Sequence, residues 1–296
     1  MLGKMEALPD YTQKILQVAA CIGTQFDLET LAYVTNQDIS DASYCLWPAV
    51  KEGLLIQEGG DWFLGVMGGH EEPIEGQQLV TEGLHFSPEH SCPSVLRVPH
   101  CKFLHDRMLQ AAYESIDELD RQEMHLSIGR LLYQFEQSKP RHKQGFEIVE
   151  QLNHGIKLIT EPDEKLRLAE LNLSAAGNAL SASVWSASLQ YSGYGLSLLS
   201  SDSWNSHFDL ILALKRLSAE CHYLLGDLDA SESIYDEVLL HVTEPLARAE
   251  IYATRLIQGI GAGNWRNGLA FGKMALECVG VKVPSEGSDL RAVLVQ

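Results

Sequence analysis

Trp185-Ser186-Ala187-Ser188, Leu228-Asp229-Ala230-Ser231 and Trp265-Arg266-Asn267-Gly268 each set a large apolar residue three positions before a very small one, at intervals of 43 and 37 residues. A pattern that recurs at such a period is the mark of a repeat architecture built from one supersecondary unit. Placed at the turn of a helical hairpin, the large residue would plug the space between the two helices while the small one allows their close crossing. The expected packing positions are therefore Trp185 with Ser188, Leu228 with Ser231, and Trp265 with Gly268.

The surrounding sequence carries the matching helical period. Met124, Ile128, Leu131 and Phe135 form one apolar stripe, as do Ile148, Leu152, Ile156 and Ile159, and Leu210, Leu214, Leu217, Cys221 and Leu224; spacings of three and four place each set on one helix face. Breaks at Pro140, Glu161-Pro162-Asp163, Ser200-Ser201-Asp202, Gly226-Asp227 and Pro245 leave short joints between the helices. The hairpins resemble tetratricopeptide repeats, with periods longer than the usual length of about 34 residues. The expectation is a mainly α protein whose residues 116–296 form an αα-hairpin, tetratricopeptide-like superhelical array.

Residues 1–115 read differently. Pro9-Asp10 opens a helix that Gly23 stops; Asp27 caps a second helix through Leu28, Leu31, Ala32 and Val34; a third runs from Ser40-Asp41 to Gly53. Leu54-Leu55-Ile56, Gly59-Gly60 and Trp62-Phe63-Leu64 then read as strand, turn and strand, with Val95–Val98 as a last strand before a helix over about His105 to Ser115. Three helices and a hairpin make a small winged-helix subdomain. Between its strands, about residues 65–95, glycines, prolines and acids predict a disordered insertion.

Of the 296 residues, 45% are hydrophobic and 21% charged, a balance that supports a folded core. The net charge of −18 is spread as −5 over residues 1–58, −7 over 59–162 and −6 over 163–296. No third supplies the cationic face that phosphate tracking needs, which argues against nucleic acid. No apolar run is long enough to span a bilayer and the first residues lack a signal-peptide build, so the expected compartment is the cytoplasm, with no membrane partner. Cys21, Cys45, Cys92, Cys101, Cys221 and Cys278 never form Cys-x-x-Cys; four are expected to be small core residues.

Several constellations invite a chemical reading and fail on spacing. The glycines at 259, 261, 263, 268 and 272, with Lys273, lack the strand and the Ser or Thr of a phosphate-binding loop. His85, His90, Cys92, His100, Cys101 and His105 are dense, yet not at the paired spacings of a zinc site. His105-Asp106-Arg107 continues without the basic residue and proline of a phosphoacceptor histidine, so His105 or Asp106 is expected to cap a helix and Tyr113 to pack it back on the strand. Glu114, Asp117, Glu118, Asp120 and Glu123 read as a solvated face. No catalytic, cofactor-binding or metal-binding residue is expected, and the chain reads as a non-enzyme without a cofactor.

Four blocks in order carry a family likeness. They are Leu16-x-Val18-Ala19-Ala20-Cys21-Ile22-Gly23-x-x-Phe26-Asp27-Leu28-x-x-Leu31; Phe103-x-His105-Asp106-Arg107-x-x-Gln110-Ala111-Ala112-Tyr113; His125-Leu126-x-Ile128-Gly129-Arg130-Leu131-Leu132; and Gln151-Leu152-Asn153. Together with Ala169-x-Leu171-Asn172-Leu173-x-Ala175-Ala176-Gly177 and Leu224-x-Gly226-Asp227, they resemble, over about residues 8 to 284, the region after the ATPase core in large bacterial multi-domain sensor kinases. Those proteins join a serine/threonine-kinase-like domain, an AAA/STAND-type ATPase, helical repeats, a GAF domain and a histidine kinase. The family's nucleotide-binding and kinase motifs are absent here, so no catalytic residue carries over. The resemblance implies a regulatory, protein-interacting fragment, truncated inside a repeat or split from a longer gene product, whose partner is a protein or the parent's own ATPase and kinase domains. The alternative is a winged-helix transcriptional regulator of the STAND activator type; its recognition helix, residues 40–52, would carry Lys51 as its only base.

Overall fold

The computed structural model describes residues 5, 7–58, 100–138, 145–200 and 203–281. Among the described residues the fold is mainly helical, with one small three-stranded sheet. It falls into two compact units, Met1–Thr160 and Glu161–Gln296. The sequence places a boundary at 115/116, but the helices beyond it pack back on the N-terminal ones: Tyr33 meets Phe135 at 4.9 Å between ring centroids, and the Gln151 side chain donates to the Cys21 carbonyl at 2.7 Å. The insertion expected at about 65–95, and the strands expected at 62–64 and 95–98, lie outside the described residues.

The first unit runs α1 (Asp10–Ile22), β1 (Gln25–Asp27), α2 (Leu28–Thr35), α3 (Ile39–Lys51), β2 (Leu55–Glu58), β3 (His100–Phe103), α4 (Asp106–Glu114), α5 (Glu118–Ser138) and α6 (Gly145–His154). β3 lies between β1 and β2 and is antiparallel to both, with Phe26 opposite Cys101 and Leu55 opposite Phe103. β1 is a strand the sequence reading missed. Its last residue, Asp27, also caps α2, accepting from the Thr30 amide at 2.6 Å and the Thr30 hydroxyl at 2.7 Å; such a cap contributes about 1 kcal/mol. Leu16, Leu28, Leu31, Leu46 and Leu54 fill the core, with Phe26 and Phe103 in ring contact.

Two apolar stripes differ from expectation. On α5 the buried line is His125, Ile128, Leu132 and Phe135, while Met124 and Leu131 are only half-buried, because the helix turns a polar residue inward. The stripe from Ile148 to Ile159 is not one helix. α6 ends at His154, Gly155 packs against α5, and a single tight turn covers Ile156–Leu158.

The second unit contains α7 (Pro162–Ser181), α8 (Trp185–Ser197), the short α9 (Ser203–Ser206), α10 (Phe208–Leu224), α11 (Leu228–His241), α12 (Pro245–Gly261) and α13 (Trp265–Cys278). The pairs α7/α8, α10/α11 and α12/α13 share one construction. Each turn places a left-handed residue before the second helix: Ser183 (φ 61°), Gly226 (φ 87°) and Gly263 (φ 78°). Ser188 donates to the Ala176 carbonyl and Ser231 to the Ala219 carbonyl, both at 2.8 Å; a Cβ on Gly268 would stand 3.2 Å from the Leu256 carbonyl. In every pair the small residue touches a carbonyl twelve positions back, which is the close crossing its size permits.

The large residues do not play their expected part. Trp185, Leu228 and Trp265 are 36%, 40% and 61% exposed, so they are not plugs between helices. As first residues of α8, α11 and α13 they stand on the turn rather than in the crossing, which Ser188, Ser231 and Gly268 occupy.

Position by position, the first turn is the weakest. Asp227 accepts from the Ala230 amide and Asn264 from the Asn267 amide, but Val184 at the equivalent place offers no acceptor, and Ser183 carries the left-handed conformation that glycine takes in the other two turns. Ser183→Gly combined with Val184→Asp is expected to stabilise the second unit by about 1–2 kcal/mol, read as a rise in urea midpoint.

Candidate functional site

The motif blocks that lie far apart in sequence meet inside the first unit. The Tyr113 hydroxyl on α4 is 3.0 Å from His125 Nε2 on α5; His125 Nδ1 is 2.7 Å from Gln151 Oε1 on α6; Gln151 Nε2 donates to the Cys21 carbonyl at the end of α1. Because the Gln151 amide nitrogen is committed to Cys21, its oxygen must accept, which makes His125 Nδ1 the protonated nitrogen and Nε2 the acceptor for Tyr113. The His154 ring stacks on His125 at 4.4 Å, and the Arg121 guanidinium lies 5.1 Å from the Tyr113 ring centre. Four helices are thus tied by one chain of polar contacts. Gly129 sits beside it: a Cβ there would come within 2.8 Å of the Leu152 side chain, so α5 and α6 cross in contact.

Burial, reinforced by His154 and Arg121, holds His125 below its ordinary value of 6.5, against the hydrogen bond it donates to Gln151. The folded form therefore keeps His125 neutral, while the unfolded chain takes up a proton as pH falls through that range. The unfolding free energy is expected to drop between about pH 7 and about pH 5.5, and His125→Gln to flatten that part of the curve in urea titrations at both values.

The cluster contains no activated nucleophile. Burial pushes the Cys21 thiol up to about 12 and the Cys101 thiol to about 12 as well; Cys45, half-buried, rises to about 11 for the same reason. Thiols so held are poor nucleophiles.

The remaining motif residues are dispersed. Phe103 and Ala112 are buried, Ala111 is half-buried, and His105, Asp106, Arg107, Gln110 and Arg130 are exposed. His105 occupies the position before α4 but its side chain makes no capping bond, contrary to expectation, and Gln110 bonds Glu114 one turn on. The Tyr113 hydroxyl bonds His125 on α5, while its ring packs against the core that includes Cys101 and Phe103 of β3. Glu114, Asp117, Glu118, Asp120 and Glu123 are all exposed. His85, His90 and Cys92 lie outside the described residues; among the described residues, no group of three His, Cys, Asp or Glu is placed to hold a metal. Gly259 and Gly268 meet backbone to backbone at the α12/α13 crossing, and Gly263 makes the turn between them.

A second polar feature, in the second unit, was missed by the sequence reading. Arg255 of α12 is buried and reaches α11, with Nη1 to Asp236 at 2.7 Å, Nε to Glu232 at 2.9 Å and Nη2 to the same Glu232 carboxylate, while its guanidinium lies 4.0 Å from the Phe271 ring centre. Gln258 adds a bond to the Tyr235 hydroxyl at 3.1 Å. The only sequence signal was the Glu232/Asp236 pair, one helical turn apart.

No helix among the described residues is long and apolar enough to cross a membrane. The chain is 24% identical over 284 residues to the Hybrid signal transduction histidine kinase G of Dictyostelium discoideum; the match covers 87% of this chain and 8% of that much longer protein. No family model matches the chain, and no solved structure matches it.

Proposed function

We propose that this chain is a non-catalytic regulatory and protein-interaction module of a signal-transduction protein of the sensor-kinase class. The observation that carries the reading is the similarity to a hybrid signal transduction histidine kinase along most of the chain. In this reading the first unit is a winged helix, with α1–α3 packed on the β1-β3-β2 sheet, and it docks on an ATPase core supplied by the parent protein or a neighbouring chain. The second unit is a tetratricopeptide-like array. The recurrent turns and crossings at Ser188, Ser231 and Gly268 support that assignment. Such an array offers a surface to a protein partner and biases the core between states, as a ligand with different affinity for each must. Duplex DNA is the weaker partner: α3 carries a single base, Lys51, whose ammonium lies 5.5 Å from the Trp47 ring centre.

The test adds the purified chain to a purified ATPase-plus-kinase region of a protein of this class. Saturable binding with a several-fold change in ATP turnover or autophosphorylation supports the reading. Absence of binding together with salt-sensitive micromolar binding to duplex DNA would replace it with the transcription-regulator alternative.

A further inference from the structure

Of the residues that α12 buries, the apolar ones, Ala249 and Ile251, lie in its first half and the polar ones, Arg255 and Gln258, in its second. The first half adjoins the joint at residues 242–244, between His241 and Pro245. There Ala247 and Ile251 share an apolar cluster with Val238, Leu239 and Val242, and Arg248 donates to the Leu239 and Val242 carbonyls at 2.7 and 2.9 Å. About 15 Å further along the axis, at a rise of about 1.5 Å per residue, the second half meets α11 through polar groups. Arg255 binds Glu232 and Asp236, and Gln258 donates to the Tyr235 hydroxyl. Inside the hairpin, by contrast, α12 and α13 touch backbone to backbone: a Cβ on Gly259 would stand 3.0 Å from Gly268 Cα, and the Tyr252 and Phe271 rings stack at 6.4 Å. The preceding joint is apolar where this one is charged, with Gly195 of α8 packed on buried Leu214 of α10.

The Arg255 side chain is 5% exposed, whereas those of Glu232 and Asp236 are 38% and 69% exposed. A guanidinium withdrawn from water regains its hydration on leaving, so such a pair closes with little net free energy; removing its carboxylates while the cation stays buried is strongly unfavourable. We propose that α12 and α13 swing as one body about residues 242–244, with Arg255 as the latch that closes them on α11. Release uncovers Tyr235 and the two carboxylates, while Ile251, close to the hinge, moves little. The latch and hinge belong to the second unit alone and do not depend on what the chain binds.

The reporters are Gln258→Cys, at the latch, and Ile251→Cys, by the hinge, each in the full chain, with the buried native Cys221 of α10 as internal control. Iodoacetamide labelling under native conditions, read by peptide mass spectrometry, measures how often each thiol is uncovered. The thiol at 258 should react at least about tenfold faster than the one at 251 or Cys221. Glu232→Gln with Asp236→Asn should raise the rate at 258 about tenfold or more and leave Cys221 unchanged. Hydrogen exchange separates a swing from unravelling: the amides of 256–260 should keep protection at least about tenfold above that of the thiol at 258. Circular dichroism checks the helix content of each variant. In the unsubstituted chain, hydroxyl-radical oxidation of Tyr235 should rise about twofold between about 0.05 and about 0.5 M salt, since the carboxylates of the latch are partly exposed. One common rate for the three thiols, a rate at 258 indifferent to the loss of both carboxylates, amide exchange at 256–260 as fast as the labelling, or Tyr235 oxidation unmoved by salt overturns the proposal.

Discussion

Gly155→Ala is expected to cost the first unit about 2–3 kcal/mol. The added Cβ would stand 2.6 Å from Leu126 Cβ, 2.9 Å from the Gln122 carbonyl and 3.1 Å from Leu126 Cα. Two of those are backbone atoms of α5, which no rotamer change can move aside. The backbone at Gly155, with φ −96° and ψ 10°, suits any residue, so the penalty is steric and not conformational. Gly177, inside α7 with open space at its Cβ, is the contrast: Gly177→Ala should stabilise the second unit by about 0.5–1 kcal/mol through backbone entropy. Urea unfolding gives both signs, and hydrogen exchange in α5 and α6 localises the first.

Gln151→Leu is expected to destabilise the first unit by about 2–4 kcal/mol. The change keeps the volume and removes two bonds at once, leaving the Cys21 carbonyl and His125 Nδ1 without their partner in a buried setting. Since His125 is linked to Gln151 directly, the cost of Gln151→Leu should shrink by about 1 kcal/mol in a His125→Leu background, where one of the two orphaned groups is gone. A double-mutant cycle in urea reads that coupling. Additive losses would mean that the three side chains do not act as one network.

Much of the second unit was legible in sequence because its signals are local. A residue of left-handed backbone and a small crossing residue fall within six positions in each hairpin, with a capping side chain between them in the second and third, and the apolar spacing around Leu214 and Cys221 marks the helix face. The first unit hid more. β1 is three residues long and shares Asp27 with the cap of α2, so helix-start chemistry masked the strand. The inward face of α5 is centred on His125, which reads as polar and shifts the apparent stripe by one residue. Gly155 ends α6 for a reason visible only in space, the closeness of α5. Tyr113, His125 and Gln151 belong to the blocks that carry the family likeness, but positions separated by 12 and 26 residues do not reveal their bonding. The exposed Trp185, Leu228 and Trp265 show the limit of a pattern: spacing located the turn correctly but did not tell which of its two marked residues enters the crossing.

Under the proposed function the chain transmits or receives a signal through contacts and performs no phosphoryl chemistry itself. The direct measurement is incubation of the purified full chain with magnesium and γ-labelled ATP, following phosphate release and acid-labile protein phosphorylation together. Neither should rise above a no-protein control. Sustained turnover, or stoichiometric labelling of a histidine, removed by a substitution within this chain would contradict the account.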